Sequence, residues 1–445
     1  MSNDKKMRLA IVGGGIVGLA FAISLAKCGA QNIEVDIYES ASAFGQVGAG
    51  MGFWPRIWEN MRLLGLEEDL KPLVSSGKPF RYTKGDQPQY LSFGESHSAL
   101  QTFHRNDILA VFLRHIPTYY RAHFGKRLVS YTDSPDGPVV LEFKDGTTAT
   151  CDFLVGSDGI KSVVRRTMYE RFAASVEDPK EKERLLAFVK PTWTGQYVYR
   201  GVISTEDLRK VTPDHPVFDG PLYFAGKNKY FICYPVSNGT GINCGGLVSY
   251  PEGNGTLHNE PWVETVSQDE FRAEFPGWSP YVQAVIDLIK APSKWVINSV
   301  IGLPTYFSGR VALIGDAAHA MTPHQASGAA QGVEDGLLLA ALLADPLASP
   351  ATLPHILRAY DHVRRPFSQE ILRRSYECGA AYYFQRGAFA DVPVPDSASG
   401  KIAPESLKAL SDHINELLEW TWKTSSDGDR SEALEMFHGF VVSGA

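Results

Sequence analysis

Residues 8–40 read RLAIVGGGIVGLAFAISLAKCGAQNIEVDIYES. Arg8 to Val12 has the character of a short buried strand, Ile16 to Lys27 that of a helix with small residues on one face, and Ile33 to Tyr38 that of a second, alternating strand. Between the first strand and the helix lies Gly13-Gly14-Gly15-Ile16-Val17-Gly18, and Glu39 closes the second strand. The pattern predicts a dinucleotide-binding βαβ unit. Gly13 allows the tight turn, Gly15 lets backbone approach a pyrophosphate, and Gly18 lets helix and sheet pack closely. The helix N-terminus offers free N–H groups to phosphate, and Glu39 can accept from a ribose diol. Leu9 to Ala26 is uncharged and superficially resembles a membrane anchor, but its glycines suit the strand-turn-helix reading better.

The rest of the chain frames that unit. Its 445 residues allow two or three domains, and its net charge of −7, without a long basic run, argues against nucleic-acid and membrane partners. Five scattered cysteines point to reduced thiols and a cytoplasmic protein, with no disulfide framework and no metal site. Strand-like runs at Tyr197–Ile203, Leu222–Ala225, Tyr230–Val236 and Ile242–Val248 predict an antiparallel sheet inserted into an α/β domain. Asp145-Gly146 marks a hairpin, Val333–Leu343 and His355–Phe384 read as helices, and Asp391–Lys401 reads as a loop before a helical tail.

The expected fold is therefore α/β: a Rossmann-like dinucleotide domain, an inserted substrate domain that is mainly antiparallel sheet, and a helical C-terminal region. The ranges expected are 1–78, 100–175 and 291–385 for the first, 79–99 and 176–290 for the second, and 386–445 for the third.

A second motif separates FAD from NAD. Gly309 to His319 is a strand running into Gly315-Asp316 and a small-residue loop. Asp316 suits the hydroxyls of a longer cofactor, and the amides around Gly328 and Ala329 suit the electron-accepting edge of a flavin. With Gly156-Ser157-Asp158-Gly159 and Arg165, these motifs resemble the single-component FAD aromatic hydroxylases of the para-hydroxybenzoate hydroxylase fold. The pattern is closest to salicylate hydroxylases and their fungal relatives, through Gly48-Ala49-Gly50-Met51, Tyr199-Arg200-Gly201, Ala359-Tyr360-Asp361 and Arg364-Arg365-Pro366. Gln46, Arg56 and Ala320 depart from the residues common there.

The resemblance implies an enzyme that binds FAD, takes electrons from NADH or NADPH, and uses O2 to hydroxylate a phenolic acid, with loss of carbon dioxide where oxygen enters at the carboxyl-bearing carbon. It also implies roles. Arg105 would contact the FAD phosphate or ribose, and Asp158 the pyrophosphate region. Gly48 and Ala49 would border the cofactor, and Pro323 would lie against the flavin face. Arg200 would pair with a carboxylate or phenolate, and Tyr234 would bind or ionise the phenol. Tyr230 stands where some relatives carry a catalytic histidine. His324, a titratable group on the flavin loop, would act as base or orienting donor. For each of these an ordinary structural role competes. A larger polyketide-derived phenol or a heteroaromatic acid is the alternative substrate; a flavin reductase or halogenase is the alternative of another class, and a non-enzymatic flavin-binding protein a third. The expected assembly is a monomer or homodimer.

Overall fold

The computed structural model describes residues 6–45, 50–135, 137–399 and 402–443. A six-stranded sheet runs in the order Phe307–Ser308, Val311–Leu313, Phe153–Gly156, Met7–Val12, Ile33–Tyr38, Arg121–His123. All its pairings are parallel except that of the short outer strand Phe307–Ser308. Met7–Val12 sits inside this sheet, and all but Arg8 of its residues are buried, as a strand covered on both faces must be.

The helix Ile16–Lys27 follows that strand, and the later helix Gly328–Leu343 packs against it. A Cβ on Gly332 would stand 2.4 Å from Val17 Cγ2, and one on Gly336 3.0 Å from Phe21 Cβ. Glycine at these two positions is what lets the helices touch. The Gly315–Asp316 turn, 300 residues downstream in sequence from the fingerprint, is thereby held beside it: a Cβ on Gly315 would lie 3.0 Å from Val17 Cγ1.

The second sheet has nine strands in the order Val263–Thr265, Ser293–Ser299, Thr192–Ser204, Gly241–Thr256, Lys229–Val236, Leu222–Gly226, Ser76–Lys84, Leu91–His104, Gly50–Phe53. It is antiparallel apart from the Leu222–Gly226 pairing with Ser76–Lys84. Because side chains alternate along a strand, it has two faces. Tyr199, Ile203, Phe231, Cys233 and Cys244 point outward into one core beneath Phe271 and Phe275. Val198, Tyr230, Ile232, Tyr234 and Leu247 point the other way, toward Tyr382, Tyr383 and the C-terminal helices. The sheet reaches past the expected 79–99 and 176–290, taking in Gly50–Phe53 and Ser293–Ser299. The helix Pro179–Ala187, placed by sequence in the substrate domain, packs through Leu185 into the dinucleotide core.

The expected loop at 391–401 contains a short helix, Val394–Ala398. Its Ser397 carbonyl accepts from buried Lys84 and its hydroxyl donates to Asp86, so polar contacts override the turn-rich composition. Among the described residues no helix is long and apolar enough to cross a membrane, and all five cysteines are free.

Candidate active site

Gly13 has φ +110°, and a Cβ there would stand 2.3 Å from the Ser157 carbonyl oxygen. Only glycine fits. Gly18 is equally confined, 2.1 Å from the Gly13 carbonyl oxygen by the same measure. Gly15 caps the helix Ile16–Lys27 without a side-chain hydrogen bond, which leaves the first amides free for an anion. Glu39 accepts from Gly14 N at 2.9 Å and Ala41 N at 2.7 Å, fixing a carboxylate at the lip of the turn.

The second half of the cofactor cradle is equally under-satisfied. Asp316 is exposed, its carboxylate takes no hydrogen bond among the described residues, and Gly328 lies across from it, its would-be Cβ 3.8 Å from Asp316 Oδ1. The helix that starts at Gly328 and Ala329 has no side-chain cap. Arg105 opens another helix, has a buried Nε with no partner, and forms no ion pair among the described residues. Burial lowers its pKa, Asp316 opposes that, and Arg200 adds to it. Two uncapped helix N-termini, two carboxylates and an orphaned guanidinium match the phosphates, ribose, ribityl chain and ring edge of FAD. Gly48 and Ala49 lie outside the described residues.

Asp158 is arranged differently from the sequence expectation. Its carboxylate accepts from Ser162 Oγ at 2.5 Å, Val163 N at 2.7 Å and Val164 N at 3.2 Å. The side chain therefore caps the helix Val163–Ala174, and what this segment presents to the glycine turn is the Ser157 backbone and its hydroxyl, which donates to Gly13 O at 2.9 Å.

The inner face of the large sheet forms the facing wall. Register puts Arg200, Gly245 and Ile232 in one row, with Val202, Asn243 and Tyr234 in the next and Val198, Leu247 and Tyr230 on the other side. Arg200 is half-buried, lies 5.6 Å from the Trp295 ring, and has no acidic partner among the described residues. Tyr234 packs edge-on against Phe80 and within 2.4 Å of where a Gly50 Cβ would be. Burial pushes its pKa up to about 12 against the pull of Arg200, so the hydroxyl stays a donor at neutral pH.

Pro323 is exposed at the head of a 3-10 turn ending at Gln325. Next to it, His324 is only 1% exposed, and both ring nitrogens are engaged, Nδ1 with Tyr230 Oη at 2.8 Å and Nε2 with Gln196 Oε1 at 2.9 Å. Burial pushes the imidazole down to about 3. Both His324 ring nitrogens and the Tyr230 hydroxyl are engaged with each other or with Gln196, so His324 has no free nitrogen to act as base, contrary to the expectation. Gln196 and Tyr383, which complete this cluster, carry no sequence signal: one is an amide on a bulged strand, the other one of many tyrosines.

The FAD binding domain family matches residues 6–191 and 254–375. The chain belongs to this family. A salicylate hydroxylase of Pseudomonas putida is 34% identical to it, over 97% of this chain and 96% of the relative. The 6-methylsalicylate 1-monooxygenase atA of Aspergillus terreus is 29% identical over 99% and 94%. A solved salicylate hydroxylase substrate complex superposes with TM-score 0.80 at 29% identity, covering 97% of this chain and 98% of that one. The protein is an FAD-dependent aromatic monooxygenase, with the NAD(P)H use typical of that class.

Proposed function

We propose that the protein hydroxylates a small phenolic acid of the salicylate type, with release of carbon dioxide when oxygen enters at the carboxyl-bearing carbon. The observation that carries this is Arg200: a half-buried cation with no acid partner among the described residues, on a wall that also bears Val198, Ile232, Leu247, Asn243 and Tyr234. A guanidinium so placed is matched by a carboxylate, which it can hold in two parallel hydrogen bonds. The Tyr234 hydroxyl then donates to the phenol oxygen and stabilises its anionic form, which makes the ring electron-rich. When bound, FAD would take electrons from NADH or NADPH and activate O2, one atom of which enters the ring and the other leaves as water. Val198, Leu247 and Ile232 keep water from the ring, and Pro323 faces the flavin side.

The five free thiols support a location in a reducing compartment such as the cytoplasm. The test is ligand titration of the FAD-loaded protein, followed by the flavin absorbance. Salicylate should perturb the spectrum, and its methyl ester should bind at least about tenfold more weakly. Equal binding of the two would remove the carboxylate from the recognition scheme.

A further inference from the structure

The imidazole of His324 is sealed between three elements. Gln196 faces it from the strand Thr192–Ser204 and Tyr230 from the strand Lys229–Val236, while Tyr383 follows the helix Leu353–Tyr382. That helix makes room with Gly379, whose Cβ would stand 2.2 Å from His324 Cδ2. Among the described residues no charged group hydrogen-bonds to the ring, and Arg200 acts on its partner Tyr230. Burial keeps the imidazole neutral, so it carries one ring proton.

Which nitrogen carries that proton follows from the partners. Gln196 Oε1 can only accept, and it also takes the Tyr383 hydroxyl at 3.4 Å. The proton therefore sits on Nε2, and Nδ1 is left as an acceptor for the Tyr230 hydroxyl at 2.8 Å. The chain runs one way: Tyr230 donates to His324, and His324 donates to Gln196. Gln196 is 3% exposed, and its backbone carbonyl takes the Trp193 indole at 2.9 Å, so the backbone that carries the amide is anchored in the sheet. The flavin-side turn, through the residue next to Pro323, is thus tied to the wall that bears Arg200 and Tyr234.

We propose that Gln196 is a positioning residue that sets the tautomer of His324 and thereby holds the Pro323 turn in register with the substrate wall. The inference rests on the hydroxylase reading given above. Its consequence is for coupling: a loose turn would let oxygen chemistry proceed with the phenol out of place, and reducing equivalents would leave as hydrogen peroxide.

The test uses the FAD-loaded enzyme with salicylate as the probe, and the variants Gln196→Leu and Gln196→Glu. Product and peroxide per NADH or NADPH are measured together with the flavin absorbance shift and the NMR signals of isotope-labelled imidazole nitrogens. The wild type should show the Nε2–H tautomer, unchanged from about pH 6 to 9. Gln196→Leu should lower product per reductant by roughly threefold or more, while salicylate still binds. Gln196→Glu, which keeps the acceptor but adds a negative charge, should bring the His324 titration into the measurable range and make coupling fall as pH is lowered. It also serves if the leucine variant does not fold. Wild-type coupling and spectra in both variants, or an Nδ1–H tautomer in the wild type, would overturn the inference. A wild type that hydroxylates no phenolic acid would instead count against the function, and the tautomer would still decide the role of Gln196.

Discussion

Arg56 grips Glu334 with two hydrogen bonds, Nε to Oε1 at 2.8 Å and Nη2 to Oε2 at 3.0 Å, with both side chains about 2% exposed. The same guanidinium reaches the C-terminal region, at Thr424 Oγ1, the Ser425 carbonyl and Asp429 Oδ2. Glu334 and Asp335 are also held by buried Arg364, and Asp335 accepts from Gly315 N at 2.9 Å and bonds His319 Nε2 at 2.5 Å. The C-terminal helix Asp427–Ser443 is thus bonded, through charges, to the helix Gly328–Leu343. Arg56 is the joint.

Arg56→Ala should therefore destabilise the protein by about 3–5 kcal/mol, because it strands buried carboxylates. Denaturant unfolding of the FAD-free protein measures this. A cost within experimental error would mean that Arg364 alone satisfies Glu334.

Arg200→Ala should weaken salicylate binding by about 2–5 kcal/mol, at least about thirtyfold, and leave FAD bound. Arg200 makes no hydrogen bond through its side chain among the described residues, so its removal leaves no broken network behind. Flavin-absorbance titration reads the ligand, and gel-filtered FAD content reads the cofactor. Parallel loss of both would assign Arg200 to the cofactor.

Tyr234→Phe should slow hydroxylation on the order of ten- to a hundredfold, the worth of a hydrogen bond to a charged oxygen, and raise peroxide leakage. Tyr230→Phe should change substrate affinity little, since its hydroxyl is spent on His324. Steady-state turnover with a peroxide assay separates the two tyrosines.

Acid should destabilise the fold through two buried neutral histidines. Burial lowers His324 to about 3 and His215 to about 4, below the ordinary value of 6.5. Both bind fewer protons folded than unfolded. Their contribution is complete above pH 6.5 and is lost as pH falls from there toward the folded values, about 2 kcal/mol for each by pH 5. Chemical denaturation at several pH values checks the slope, and His324→Gln should remove part of it.

Much of this architecture could be read from the chain. The glycine turn at Gly13–Gly18, Glu39 and the Gly315–Asp316 turn all show in sequence, because local backbone geometry demands those residues at those spacings. Arg200 and Tyr234 rested on a resemblance, and the register of three strands brings them to one face. What stayed hidden depends on partners distant in the chain. His324 looked available as a titratable group on the flavin loop; Gln196, 128 positions earlier in sequence, and Tyr230 close it off. Asp158 looked like a cofactor ligand, yet the helix start after Ser162 claims its oxygens. The C-terminal loop at 391–401 carried turn residues, and only the Lys84–Asp86 pair beneath it explains its short helix.

The most direct measurement is oxidation of NADH and NADPH and uptake of oxygen by the purified, FAD-loaded protein. Salicylate, 4-hydroxybenzoate, 6-hydroxynicotinate and an acylated resorcinol would be compared, with product mass and carbon dioxide recorded. The account predicts that salicylate stimulates both rates and yields a product with added oxygen and released carbon dioxide. A yellow protein that oxidises neither nucleotide faster with any of the carboxylated phenols would contradict it.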